Sequence, residues 1–241
     1  MPAAPKTKLF CKERHMKYPY LLLDADNTLF DFDHANRLAF HAVCAAYDIP
    51  ESEETFTRYE RCNNALWAAF DRGECTKEFL VVERFRRFLA QLGLDRDPEA
   101  CNALHLQTLS QSAYMLPYAQ EVCQTLSQRH RLYLVTNAVA SVQRGRLAKS
   151  PIVPYITAAF ISEEAGAAKP SPAYFDYVFA NIEGITRENC LVVGDSISSD
   201  IRGANNYGLP CCWYNPKHTP RPEGLRIDYE IDDLRRLLEI V

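Results

Sequence analysis

Two aspartates one residue apart close a short apolar run, Tyr20-Leu21-Leu22-Leu23-Asp24-Ala25-Asp26-Asn27-Thr28. Side chains alternate along a strand, so residues 24 and 26 are expected on one side and Ala25 on the other. Two crowded acids repel each other unless a cation or a shared proton relieves them. The pair therefore points to metal-assisted chemistry, with one acid as nucleophile and the other as proton shuttle.

Three other segments offer complementary groups at the ends of apolar runs. Leu132–Val135 is followed by Thr136-Asn137. A run near Ala159-Phe160-Ile161 leads, through a Gly-containing loop, to Lys169-Pro170. Cys190–Val193 is followed by Gly194-Asp195-Ser196 and then by Asp200. In open α/β sheets, ligands bind outside the carboxyl ends of the strands. Acids, a hydroxyl–amide pair and a lysine converging there suit a phosphoryl group with Mg²⁺.

The elements that must position these residues follow from pattern. The first strand is expected at about 18–24. Helices then read at 34–47 and 51–70, with a break at Asp71-Arg72-Gly73. A third starts at Thr76, a plausible N-cap, and ends at Gly93, with Phe79, Val82, Phe85, Leu89 and Leu92 as its apolar face. Asp97-Pro98 opens a fourth, running to about 112. After Pro117 strands and helices alternate: helix 118–129, strand 132–135, helix 139–148, strand 159–161, helix 172–182, strand 190–193, helix 198–206 and strand 209–213. A short strand at 228–230 and a C-terminal helix follow. Alternation predicts an α/β fold, a parallel sheet with helices on both faces. The helical block directly after the first strand reads as an inserted cap. The organisation expected is a solvated arm over 1–17, a core of 18–32 and 114–241, and a cap of 33–113.

Bulk properties exclude other classes. The chain has 241 residues, 24% charged and 47% apolar, with a formal charge of −4. That balance gives no electrostatic case for a nucleic-acid polymer or a membrane surface. No apolar stretch approaches a membrane span, and the basic N-terminus lacks the apolar segment of a signal peptide. Nine cysteines occur without CxxC or zinc spacing. Cys44, Cys123 and Cys190 fall at apolar positions, and adjacent Cys211 and Cys212 should face opposite sides of one strand. Reduced, buried thiols and a cytoplasmic location are expected. His34, His41, His105 and His130 read as surface or packing residues.

The four segments together resemble the haloacid dehalogenase superfamily, over nearly the whole chain beyond residue 17. Asp24-Ala25-Asp26-Asn27-Thr28 matches its Asp-x-Asp-x-Thr motif. Thr136-Asn137, Lys169-Pro170 and Gly194-Asp195-Ser196-Ile197-Ser198-Ser199-Asp200 match the other three, in order. The resemblance implies a Rossmann-like core with a helical cap of the subclass inserted after the first motif. It implies Asp24 as the nucleophile that forms an aspartyl-phosphate, and Asp26 as the acid and base. Thr136 would bind phosphoryl oxygens and Lys169 would neutralise charge. Asp24, Asp195 and the backbone carbonyl of Asp26 would hold Mg²⁺. Asn137, Asp200 and Ser196 would support the phosphate or its lysine, with Asp200 orienting Lys169 or a metal-bound water.

An acid at position 26 argues against dehalogenation. The tract Gly194–Asn206, continuing through Cys212-Trp213-Tyr214-Asn215-Pro216, resembles the bacterial pyrimidine 5′-nucleotidase branch most, as does Asp71-Arg72-Gly73-Glu74 with Arg84-Phe85. That branch usually carries two glycines where Gly203-Ala204 stands and a small residue where Tyr207 stands. The implied substrate is a small phosphorylated metabolite, foremost a nucleoside monophosphate, handled by a monomer or small homo-oligomer. A phosphatase of another metabolite, a sugar-phosphate mutase and a non-catalytic binding protein are the alternatives. Phe30, with Phe32, and the cap break Arg72-Gly73-Glu74 are the candidates for contacting the leaving group. Trp67 reads as cap core in preference to a stacking platform.

Overall fold

In a computed structural model of the protein, which describes residues 16–241, six parallel strands form one sheet in the order β3-β2-β1-β4-β5-β6. They are β1 (Tyr20–Leu23), β2 (Arg131–Thr136), β3 (Ile156–Ile161), β4 (Cys190–Gly194), β5 (Cys211–Tyr214) and β6 (Tyr229–Ile231). β1 lies at the centre, with Leu23 in register with Leu134 on one side and Val193 on the other. The chain steps from β1 to opposite sides there, so the loops at its carboxyl end part and leave a crevice.

Both sheet faces are apolar because both are covered. Leu21, Leu23, Leu132, Leu134, Leu191, Val193 and Cys212 join one core cluster. Leu22, Tyr133, Val135, Cys190, Val192 and Cys211 join the other. Cys211 and Cys212 thus face opposite ways, as alternation requires. The eight cysteines among the described residues are free, and all but Cys75 are buried.

Between β1 and β2 the chain makes α1 (Phe32–Ala46), α2 (Glu53–Asp71), α3 (Lys77–Leu92) and α4 (Pro98–Gln111), then α5 (Ala119–Leu126). The caps read from sequence are formed: the Thr76 hydroxyl accepts from Phe79 N, and Asp97 from Glu99 N and Ala100 N. Gly93 ends α3 at φ 65°, a conformation that favours glycine. The first four helices share their own apolar cluster, built on Phe40, Phe56, Tyr59, Phe85 and Phe88. The chain enters and leaves this unit side by side. Asp31 N bonds Tyr114 O, and Leu116 N bonds Leu29 O. The core continues with α6 (Ala140–Lys149), α7 (Ser162–Ala165), α8 (Pro172–Ala180), α9 (Arg202–Tyr207) and α10 (Leu237–Ile240).

Some sequence expectations shift. The first strand is Tyr20–Leu23, not 18–24, because Asp24 already serves the crevice. The loop expected after β3 begins as the single turn α7. The helix expected at 198–206 begins as a π turn over Ile197–Ile201. The buried face of α3 is rotated: Phe85 and Leu89 are buried, but Phe79 is exposed. Leu80, Val81 and Arg84 take the inward positions because α3 faces the crevice as well as the cap core. The arm expected over 1–17 lies outside the described residues except for Met16 and Lys17. Lys17 donates to the Tyr229 hydroxyl at 2.6 Å.

One polar network ties all four cap helices. Arg84 of α3 donates to Asn63 Oδ1 of α2, and to Asn102 Oδ1 and His105 Nδ1 of α4, at 3.0, 3.1 and 3.2 Å. His105 Nε2 lies 3.1 Å from Asn36 Oδ1 of α1 and 3.0 Å from the Tyr59 hydroxyl. Burial, then the Arg84 charge, pushes His105 well below the usual histidine range. A folded state that refuses a proton the unfolded chain accepts loses stability as pH falls below about 6.5. Wild type is therefore expected to lose up to about 1.4 kcal/mol more per pH unit below that point than His105→Asn. Urea unfolding at pH 7.5 and 5.5 measures the difference.

Candidate active site

Lys169 is the hub of the crevice. It is 1% exposed, and its Nζ donates to Asp24 Oδ1, Asp200 Oδ1 and Val135 O at 2.7, 2.6 and 2.6 Å. An ammonium has three N–H donors, and all three are used. Burial alone would lower its pKa, but the Asp200 and Asp24 charges overcome that and raise it, so the lysine stays charged. Asn137 clamps the same residue through its backbone. Its Nδ2 donates to Lys169 O at 2.8 Å, and Lys169 N donates to its Oδ1 at 2.9 Å.

The π turn explains how Asp200 reaches back to the end of β4. Asp200 N and Ile201 N both donate to Ser196 O, and the wider coil returns the carboxylate over the strand end. Ser196 N donates to Asp200 Oδ2 at 3.0 Å. Only glycine fits at position 194, where a Cβ would lie 2.2 Å from Asp200 Oδ2. Buried Thr28 positions Asp195: its Oγ1 accepts from Asp195 N at 3.1 Å and donates to Asp195 Oδ1 at 3.3 Å.

Three carboxylates crowd this hub. Asp24, Asp195 and Asp200 each bring an oxygen within 4.8 Å of the others. Burial and then the Asp200 charge push Asp24 up to about 7, despite Lys169. Burial and the charges of Asp24 and Asp200 push Asp195 well above the carboxylate range. Two buried acids and a half-buried one against one ammonium leave an excess of negative charge, an environment fitted to a divalent cation on hard oxygen ligands.

Asp26 also lines the crevice, but not through strand alternation, since β1 has already ended. Asn27, at φ 58°, begins a turn that closes on Phe30 O. The Asp26 carboxylate accepts from Arg146 Nη1. Arg146 is fully buried, donates Nε to Ser112 O at 3.1 Å and lies over the Phe30 ring at 4.4 Å. Sequence reasoning missed Arg146. Its signal is a charge in the same buried stripe of α6 as Val142 and Gln143. Phe30 is correspondingly buried beneath that guanidinium and does not reach the crevice, whereas Phe32 does. Thr136, at the tip of β2, lines the crevice, and its Oγ1 accepts from Ala138 N at 3.1 Å.

The cap closes the crevice into a cleft of about 480 Å³, a size that holds a small metabolite. Arg72, Gly73 and Glu74 do not line it. Arg72 pairs with Glu74 at 2.6 and 2.7 Å on the surface, because the turn is closed by its own backbone bonds. The cap meets the core one residue earlier and three later. Asp71 accepts from the Ser198 hydroxyl at 2.5 Å, and buried Lys77 donates to Ala138 O and Ser162 Oγ at 3.0 and 2.7 Å. Asn36, Asn63, Asn64 and Arg84 face the cleft from the cap, as do the acids Asp33, Glu60 and Asp71. Trp67 lines it too, while packing edge-on against Phe70 at 5.6 Å, so it is both cap core and wall. The four histidines read from sequence as surface or packing residues stand where that reading put them. His34 and His41 are exposed, His130 bonds Tyr18 O, and His105 belongs to the cap network.

Acids, a buried lysine and a threonine at the switch point of a capped parallel sheet define a phosphate-ester hydrolase. The chain belongs to the haloacid dehalogenase-like hydrolase family, whose profile it matches over residues 18–208. It is an enzyme of the phosphatase kind. It is 33% identical to the HAD-hydrolase YfnB of Bacillus subtilis, over 93% of this chain and 96% of that one. The crystal structure of YfnB bound to magnesium superposes with a TM-score of 0.89, over 93% of this chain and 98% of that one. The chain is also 32% identical to the pyrimidine 5′-nucleotidase PynA of Streptococcus pneumoniae, over 93% and 95% of the two chains. It is 30% identical to the pyrimidine 5′-nucleotidase YjjG of Escherichia coli, over 94% and 99%. Among the described residues no helix is long and apolar enough to cross a membrane.

Removing the hub orphans buried charge. Lys169→Met is expected to lose about 3–5 kcal/mol in chelator-treated protein near neutral pH. The loss should be larger at pH 8 than at pH 5. Orphaned acids have raised folded-state pKa values, so the folded state gains protons, and recovers stability, as pH falls. Chemical denaturation at the two pH values tests this.

Proposed function

We propose that the protein is a Mg²⁺-dependent phosphomonoesterase that works through an aspartyl-phosphate on Asp24 and acts on pyrimidine nucleoside 5′-monophosphates. The observation that carries the reading is the buried Lys169–Asp24–Asp200 hub with Asp195 beside it and Asp26 on the cap side. The relatives PynA and YjjG support the nucleotide class. In this reading residues 18–32 and 114–241 form the catalytic core, and 33–113 the cap that selects the leaving group.

Asp24 Oδ1 is held by Lys169, which leaves its second oxygen to attack phosphorus. As the new P–O bond forms, the bond to the leaving oxygen breaks, and Asp26 protonates that oxygen. A water then attacks the phosphorus of the aspartyl-phosphate while Asp26 takes its proton, releasing phosphate and restoring both acids. Thr136 and the Lys169 charge hold the phosphoryl oxygens. Asp24, Asp195 and the Asp26 backbone carbonyl would hold Mg²⁺, which supplies charge neutralisation between phosphate and carboxylate. Asp200 positions Lys169, and Ser196 and Asn137 hold the two loops in place.

Arg146 holds the Asp26 carboxylate in place from behind, and the Phe30 ring supports Arg146. Phosphate release across nucleoside monophosphates and sugar phosphates, with and without chelator, tests the reading. Asp24→Asn should abolish turnover with the fold intact by circular dichroism, and chelator should silence wild type reversibly. Isomerised sugar phosphate with no free phosphate would point to a mutase instead. Arg146→Met should lower kcat at least about tenfold on a nucleoside monophosphate, whose alkoxide must be protonated. The loss should be smaller on p-nitrophenyl phosphate, whose leaving group needs no proton; equal losses would remove Arg146 from the positioning of Asp26.

A further inference from the structure

Beside the acids Asp33, Glu60 and Asp71, the roof of the cleft holds a network whose hydrogen-bonding polarity one buried cation dictates. Arg84 is 2% exposed and lines the cleft, yet no carboxylate pairs with it among the described residues. Its acceptors are all neutral: Val81 O, Asn63 Oδ1, Asn102 Oδ1 and His105 Nδ1. A guanidinium can only donate. His105 Nδ1 must therefore accept, so Nε2 carries the ring proton and donates toward Asn36 Oδ1 and the Tyr59 oxygen. The Tyr59 hydroxyl in turn points to Asn36 Oδ1 at 3.4 Å.

Asn36 and Asn63 thus both commit their carbonyl oxygens to the network. Their NH₂ groups remain for the cleft. Asn63 Nδ2 makes one bond at 3.3 Å, to Asn64 Oδ1. Asn36 is 4% exposed and lines the cleft, and its Nδ2 has no protein acceptor among the described residues. A buried cation without an acid is costly, and ligand acceptors beneath it would offset that cost.

We propose that this roof selects the leaving group: Asn36 and Asn63, held donor-outward by Arg84 and His105, bind carbonyl oxygens at the end of the substrate remote from the phosphate. The inference rests on the phosphomonoesterase reading and deepens it. A nucleobase carbonyl and a carboxylate share the required chemistry. A cleft of about 480 Å³ lined from Asp24 to Arg84 favours the larger base. A site built to hydrogen-bond a substrate group discriminates strongly against esters lacking that group.

The test is steady-state kinetics on uridine 5′-monophosphate, 2-phosphoglycolate and phenyl phosphate, the last having no acceptor on its leaving group. Asn36→Asp keeps an acceptor for His105 and Tyr59 but loses the donor. Asn63→Asp gives Arg84 an acid partner and removes the uncompensated charge. Each variant is expected to lose at least about tenfold more kcat/KM on the preferred acceptor-bearing ester than on phenyl phosphate, mainly through KM. The melting temperature of Asn63→Asp should not fall, which separates the effect from unfolding. Parallel losses on all esters, an unchanged KM in both folded variants, or a wild-type preference for phenyl phosphate would overturn the roof. A wild-type preference for 2-phosphoglycolate over uridine 5′-monophosphate would overturn the nucleotide reading alone, and the variant ratios would still test the roof.

Discussion

Everything in the crevice depends on one buried ammonium. Lys169 Nζ meets a carboxylate at the end of β1, a carbonyl of β2 and a carboxylate returned from beyond β4. The three central strands are thereby joined at their carboxyl ends by a single charge. A buried lysine with one acid rarely compensates for its lost hydration. With two acids and a carbonyl it does, and the surplus negative charge lies toward Asp195. Gly194, Asn137 and the π turn at Ile197–Ile201 all serve this contact, by removing a Cβ, clamping a backbone or widening a coil.

The cap is organised around the opposite sign. Its central charge is Arg84, buried without an acid, and its polar atoms are arranged by that cation through His105, Asn36 and Asn63. The floor is thus rich in carboxylates and the part of the roof around Arg84 in donors, while Asp33, Glu60 and Asp71 of α1 and α2 also line the cleft. A ligand with acceptors beneath Arg84, and a phosphate on the floor whose charge a cation bridges to the carboxylates, would complement both parts. Floor and roof meet through an apolar cluster of Ala35, Ala39 and Leu109 of the cap with Val142 of α6, through polar contacts of Asp71 with Ser198, Lys77 with Ser162 and Ala138, and Arg146 with Ser112 O, and through paired backbone bonds where the chain enters and leaves the cap.

Arg146 shows how the cap seam reaches the chemistry. It bonds Ser112 at the end of α4, rests on Phe30 at the cap entrance and pairs with Asp26. One side chain therefore touches both crossings between core and cap and the proposed proton carrier. Phe30, expected from sequence at the leaving group, instead supports that side chain, because the turn after Asn27 folds it inward to bridge Met115.

The core was legible in the chain because its signals are local. Apolar runs of four to six residues ending in Asp24, Thr136 or Gly194 are strands whose ends carry function, and their order fixes a parallel sheet with a central switch point. Caps such as Thr76, Asp97 and Gly93 were legible for the same reason: their partners lie within a few residues. What the chain hid were pairings across long separations. Arg146 with Asp26, Asp71 with Ser198 and Arg84 with His105 each join segments with no sequence pattern in common, and Lys169 with Asp24 was expected only through the family resemblance. The rotated face of α3 belongs here too, since Leu80, Val81 and Arg84 turn inward only because two surfaces compete for that helix. By itself the sequence determined which residues could do chemistry and at which strand ends they stand. Only the tertiary structure decided which of them bear on one another, because burial and direction of a polar group are set by neighbours that folding alone brings close.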